Sequence, residues 1–296
     1  MAILGVDIGG TNLRIGAVQP DGTVSKFIKE PTRSILRSAD VLGDLAQALR
    51  DFAEEFPIEA VAIGFPATLD SERSRVVQAP SVPFMEALPA RDGLREALGV
   101  PVFAERDVNF ALLYDMEKYA IPSKGLVCGI YYGTGIGNAI AVDGRPLVGR
   151  HGCAGELGHI PVPGCELPCG CGNIGCLETL AGWKALARLQ AEQYPQTHIG
   201  EIFTRHGQEE ALLRFVDAMA VAAATEINIL DPDMLLLGGG VLNMPDFPKE
   251  RLMERILARC RKPFPAEDLP LIFTEDEPDK SVVGGAIYAR KKLQEE

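Results

Sequence analysis

The chain is 296 residues long and 47% hydrophobic, enough for one large domain or two ordinary lobes with well-buried cores. Its 29 basic against 41 acidic side chains leave a formal charge of −12, which repels nucleic-acid phosphates and anionic lipid and argues against both as partners. No basic leader precedes the apolar start, and no apolar run is long enough to span a bilayer, so the expected address is the cytoplasm.

Residues 3–8 form a short apolar run that stops at Gly9-Gly10, and residues 14–18 resume it before the turn signal Pro20-Asp21-Gly22. This reads as strand, tight loop, strand, turn. Leu42, Leu45, Leu49, Phe52 and Phe56, spaced three or four apart, predict a helix with one buried face. Residues 60–65 read as a buried strand, 91–98 as a helix closed by Gly99, and 100–104 as the next strand. The opening plan then returns: residues 126–132 stop at Gly133-Thr134-Gly135, and 138–142 resume before Asp143-Gly144. A long apolar helix near 209–229 stops at Asp231-Pro232, and a short strand at 234–237 ends in Gly238-Gly239-Gly240. The final helix runs from about residue 282, with Gly284, Gly285 and Ala286 small enough for close backbone packing. Strands alternating with helices make the chain α/β, and the repeated plan suggests two related lobes whose glycine loops face a cleft.

Asp7-Ile8-Gly9-Gly10-Thr11-Asn12 puts a carboxylate at a strand end, followed by glycines whose amides approach an anion closely, with Thr11 and Asn12 as further donors. The spacing is neither that of a Walker loop nor that of a dinucleotide fingerprint. Gly133-Thr134-Gly135-Ile136-Gly137 has the same composition, and a pair of such loops favours phosphoryl transfer over hydride transfer.

Four of the seven cysteines crowd into residues 165–176, a poor disulfide framework and a good metal site. His159, Cys169, Cys171 and Cys176 are the ligand set of a closed, structural zinc, with Cys165 as a competing thiol. Glu156 and Glu178 bracket these ligands. Two carboxylates fixed beside a metal suit recognition of vicinal hydroxyls, although either alone reads equally well as a solvated surface charge. Asp107 follows the strand at 100–104 and opens a helix, at the edge where α/β sites lie. It is either a base for an attacking hydroxyl or a simple N-cap.

Together these residues resemble the ROK family (repressors, open reading frames and sugar kinases) along nearly the whole chain. The motifs are Asp7 to Thr11, Gly133 to Gly137, Glu156-Leu157-Gly158-His159, and the cysteine motif running from Cys169 to Glu178. The resemblance implies a two-lobed actin-like, hexokinase-like ATPase fold of duplicated ribonuclease H-like lobes around a central cleft. The lobes are expected at residues 1–116, completed by the C-terminal helix 281–296, and at 117–280, the latter carrying the zinc loop. It further implies that Asp107 is the catalytic base for a sugar C6 hydroxyl attacking ATP. Asp7, Gly9, Gly10, Thr11, Asn12, Gly133, Thr134 and Gly135 would serve the phosphates with Mg²⁺, and Gly239 and Gly240 the adenosine. Asn109, Glu156, His159, Glu178 and the Gly64-Phe65-Pro66 turn would hold the sugar, and a homodimer is expected.

Two departures bear on the substrate. Arg106 stands where many of the family's glucokinases have Asn, and Ser81 where many relatives have Asn, so the O3 and O4 side of the sugar should feel both. The runs Arg106-Asp107-Val108-Asn109, residues 152–161 and Gly238-Gly239-Gly240-Val241 with Met244-Pro245 resemble the family's D-allose kinases. D-Allose is therefore the expected substrate, with glucose, fructose, mannose or N-acylmannosamine as rivals and a non-catalytic sugar sensor as the competing class. A helix-turn-helix segment before the first strand is not expected.

Overall fold

The computed structural model describes residues 1–295. In chain order the first elements are β1 (Ala2–Ile8), β2 (Asn12–Val18), β3 (Val24–Pro31), α1 (Thr32–Ile35), α2 (Val41–Ala53), β4 (Ile58–Phe65), β5 (Thr68–Leu69), β6 (Val76–Gln78), α3 (Ala90–Leu98), β7 (Val102–Arg106) and α4 (Asp107–Lys118). There follow β8 (Leu126–Tyr132), β9 (Ile136–Val142), β10 (Arg145–Pro146), α5 (Trp183–Gln193), α6 (Ile202–His206), α7 (Glu210–Leu230), β11 (Met234–Gly238), α8 (Lys249–Arg259), β12 (Leu271–Phe273) and α9 (Lys280–Glu295).

These elements form two compact units. The first comprises Met1–Pro122, Pro146–Ala154 and Glu277–Glu296, and the second Ser123–Arg145 and Gly155–Asp276. The break expected after residue 116 would cut α4, which continues to Lys118, so the boundary falls in the following loop. The segment Pro146–Ala154 was expected in the second lobe; instead it packs with the first.

The first unit is built on a five-stranded sheet ordered β3-β2-β1-β4-β7. The first three strands are an antiparallel meander, and β1, β4 and β7 run parallel. Alternation along β1 divides the core. Leu4, Val6 and Ile8 face α2 and its neighbours through Leu45, Leu49 and Phe52, while Ile3 faces Phe110, Val282 and Ala286 of α4 and α9. The small residues of α9 are used as anticipated: a side chain at Gly284 would collide with the Phe110 carbonyl of α4.

The second unit has a five-stranded sheet ordered β10-β9-β8-β11-β12, with β8 antiparallel to β9 and parallel to β11. Each unit thus opens with a hairpin whose first strand has a parallel neighbour on its other side, the repeat expected from the two Gly-Thr loops. Its core runs along α7, where Leu212, Phe215, Val216, Met219 and Ile227 are buried, and that helix ends at Asp231 in the left-handed region. No helix among the described residues is long and apolar enough to cross a membrane.

Sequence reading placed most of the elements it named within a residue or two. The strand expected at 100–104 begins later, at Val102, because Pro101 carries no amide to donate to a ladder. The strands after both glycine loops begin two residues early, because Asn12 and Ile136 already pair across their hairpins.

Candidate functional site

In the first unit, strand register assembles the candidate groups. Asp7 of β1 pairs with Gly64 of β4, and Gly64 with Glu105 of β7, so the carboxyl ends of three parallel strands stop side by side. Such an edge is where α/β folds expose ligand-binding groups. Gly9 to Asn12 make the turn leaving β1. Gly9 N–H donates to the Asn12 carbonyl at 2.9 Å, and a Cβ on Gly9 would lie 2.8 Å from that oxygen, so only glycine fits. Thr32 pins the turn from outside, its hydroxyl donating to Gly9 O at 2.6 Å and its amide to Thr11 O at 2.9 Å. Ser81 reaches the same place, its carbonyl 3.0 Å from where a Gly10 side chain would begin.

Asp107 is the first residue of α4, and Arg106, extended at φ −68 and ψ 137, occupies the N-cap position without a side-chain cap bond. The N-cap position is therefore that of Arg106 and not Asp107, yet Asp107 still satisfies a first-turn amide, Val108 N–H donating to its Oδ1 at 2.7 Å. Burial, with the negative charge of Asp7 adding, pushes the Asp107 carboxyl up to about 7. Gly64 packs against it, a Cβ there falling 3.2 Å from the Asp107 Cα, and Pro66 follows in the same turn. Asn109 is 2% exposed in the first turn of α4.

Two arginines missed in the sequence shape this edge. Arg14 lies opposite Asp7 in the hairpin register and its Nη1 donates to Asp7 Oδ2 at 2.6 Å. Arg73 forms a buried ion pair with Glu105, Nε to Oε1 at 2.9 Å. Arg106, expected among the sugar contacts, turns its Nη1 to the Ala154 carbonyl at 2.7 Å.

In the second unit, loops carry nearly everything. The Gly133-Thr134 carbonyls are capped by the first amides of α5, Trp183 N–H at 2.7 Å and Lys184 N–H at 3.1 Å. Helix N-termini leave such donors unpaired, and here they fix the loop's shape. A side chain on Gly135 would occupy the place of the Glu178 carboxylate, so the candidate phosphate loop and a candidate sugar ligand are in contact. Gly239, at φ +98, leaves β11 with its Cα against the Tyr132 backbone, whereas Gly240 is open on its Cβ side.

Residues 160–177 fold back in two short pairings, Pro161 with Cys176 and Pro168 with Ile174. The ligand atoms of His159, Cys169, Cys171 and Cys176 all come within 4.8 Å of one another. Cys169 Sγ is 3.6 Å from His159 Nδ1, and Cys171 Sγ is 3.6 Å from Cys176 Sγ. A tetrahedral zinc with bonds of about 2.0–2.3 Å sets its ligands about 3.3–3.8 Å apart, so the donor set fits that ion with no open position. Cys165 stays outside, its Sγ 3.6 Å from the Thr179 hydroxyl. The other ring nitrogen of His159, Nε2, faces Glu156 at 3.4 Å, and Cys169 donates to Glu178 at 3.1 Å. The Cys/His cluster therefore lies against both glutamates.

The ROK family model matches residues 3–292, and the chain belongs to the ROK family. It is 30% identical to a glucokinase of Thermotoga maritima over 277 residues, 87% of each chain. It is 29% identical to an N-acetyl-D-glucosamine kinase of Salmonella paratyphi C, covering 88% of this chain and 91% of that one. The crystal structure of a ROK hexokinase from Thermus thermophilus superposes with a TM-score of 0.81 at 28% identity, covering 100% of both chains. The fold is thus the α/β hexokinase-like fold of that family.

Proposed function

We propose that the protein transfers the terminal phosphoryl group of ATP to the C6 hydroxyl of an aldohexose, with D-allose preferred over glucose, fructose, mannose and N-acylmannosamine. It is a sugar kinase of the ROK family, a phosphotransferase with an alcohol acceptor. The observation that carries the reading is Asp107, a carboxylate at the ends of parallel strands whose surroundings raise it to about 7, poised to take a proton near neutral pH.

In the reaction Asp107 accepts the proton of the C6 hydroxyl as that oxygen attacks the γ-phosphorus, and the bond to the β-phosphate oxygen breaks to release ADP. The proton then passes to solvent. Phosphoryl transfer needs chiefly position and charge neutralisation. The turn at Gly9 to Asn12 and the loop Gly133 to Gly135 supply backbone donors for the phosphates, and Gly239 and Gly240 border the adenosine. Mg²⁺ arriving with ATP supplies charge neutralisation, and Asp7 is the carboxylate at the phosphate turn suited to its hydration shell.

Glu156, Glu178 and His159 Nε2 accept and donate to the sugar hydroxyls, with Asn109, Pro66 and Gly64 shaping the floor around the reacting end. His159 and the three cysteines Cys169, Cys171 and Cys176 would hold a structural zinc, which would keep these side chains in place. The reading includes a homodimer, checked by sedimentation.

A coupled ADP-release assay with ATP and Mg²⁺ tests this against allose, glucose, mannose, fructose, N-acetylmannosamine and N-acetylglucosamine. The highest kcat/KM is expected for allose. A higher value for another sugar overturns the allose assignment, and no hexose-dependent release overturns the kinase reading in favour of a sensor.

A further inference from the structure

The loop from Gly149 to Gly155 contains three glycines with positive φ, at 149, 152 and 155. Glycines in this region leave the backbone permissive. Within the first unit two guanidinium groups seize it. Arg73 Nη1 donates to the Gly152 carbonyl at 3.0 Å, and Arg106 Nη1 to the Ala154 carbonyl at 2.7 Å. Both arginines are buried, at 6% and 8% exposure, and Arg73 is neutralised by Glu105, which is fully buried and also accepts from the Arg106 amide at 2.8 Å. Carbonyls two residues apart are thus caught from one platform, the end of β7 that leads directly into Asp107.

A buried charged donor on a carbonyl is stronger than a neutral hydrogen bond, and a guanidinium fixes direction as well as distance. Beyond the clamp the chain runs Gly155-Glu156, and Gly155 is wedged in the second unit, a Cβ there falling 2.7 Å from Asn138 O. Asn138 is itself locked by Glu226 at 2.8 Å and Gly129 O at 3.1 Å. Glu156 follows two residues beyond the clamped carbonyl of Ala154.

We infer that Arg106, assisted by Arg73, is a positioning residue for hexose binding: it clamps the backbone of residues 152–154 and so sets where Glu156 meets the sugar. It acts through the loop and does not touch the sugar. The inference rests on the kinase reading for the word sugar and on the hydrogen bonds alone for the clamp.

The test combines hydrogen exchange of residues 148–157 with hexose and ATP kinetics in the wild type, Arg106→Met, Arg106→Lys and Arg73→Lys. Exchange reads the amides of Gly152 and Ala154, bonded within the loop to Gly149 O and Val148 O. Arg106→Met should quicken it and raise the hexose KM about tenfold, with the ATP KM changed less than about twofold. Arg106→Lys, keeping one charged donor, should recover most of both, and Arg73→Lys should move both the same way by less. A raised hexose KM with wild-type exchange means direct sugar contact and overturns the clamp. Quickened exchange with an unmoved hexose KM overturns its role in binding. If the wild type phosphorylates no hexose, the kinase reading fails, and the exchange data still decide the clamp: wild-type exchange in Arg106→Met refutes it.

Discussion

The two units supply their candidate groups by different physical means. In the first, Asp7 and Gly64 are placed by the register of parallel strands, and Asp107 opens the helix that directly follows the third of them. In the second, Glu156, His159 and Glu178 sit on loops and single helical turns, between a glycine-rich segment and a cluster of thiols. A ladder tolerates the loss of one side chain, whereas a loop whose shape rested on one ion, as proposed for the thiol cluster, would not. The proposed base and the proposed sugar-binding carboxylates should therefore fail in different ways when perturbed.

The largest contrast comes from the base. Asp107→Asn should lower kcat about 10³-fold while leaving sugar affinity within about threefold, since only proton acceptance is lost. Calorimetric titration of the sugar beside the kinetics would show it, and a parallel loss of affinity would mean that the strand edge also binds sugar. Next is the metal: Cys171→Ser, or a chelator, should release zinc and weaken sugar binding about 10–100-fold. Exchange should quicken in residues 160–178 and stay unchanged in β1 and β4. Metal analysis and exchange on one sample check this, and retained affinity after zinc loss would detach the glutamates from the metal.

A smaller effect reads the electrostatics of the strand edge through stability. Asp107 is raised in the folded state, so its favourable contribution is complete below the unfolded value of 3.8 and is lost as pH rises through about 7. Urea melts of the wild type should weaken over that window relative to Asp107→Asn, and parallel curves would show that the carboxyl is not raised.

How much was legible from sequence follows the same division. β1, β8 and α7 announced themselves through apolar period and glycine or Asp-Pro stops, and the Cys/His cluster through its spacing. β3 was missed because it is an edge strand whose side chains are mostly half-buried or exposed, leaving no strong alternation. α8 was missed because only Leu252 and Ile256 are buried, too narrow an apolar stripe among charges. The Arg14 partner of Asp7 was recoverable in principle, since a turn at Gly9 to Thr11 puts residues 7 and 14 opposite each other. The clamp on residues 152–154 was not, because Arg73 and Arg106 reach carbonyls 79 and 48 residues away, and no local pattern encodes such a contact.

The central claim is that the strand edge supplies a base held near neutrality by burial, with the charge of Asp7 adding. Its most direct test is the pH dependence of hexose kcat/KM, at saturating MgATP, in the wild type and Asp7→Asn. The account predicts a wild-type profile that falls tenfold per unit below about pH 7, and a lower midpoint in Asp7→Asn, because removing that negative charge eases ionisation of Asp107. A flat profile between about pH 5 and 8, or a midpoint unmoved by Asp7→Asn, would contradict it.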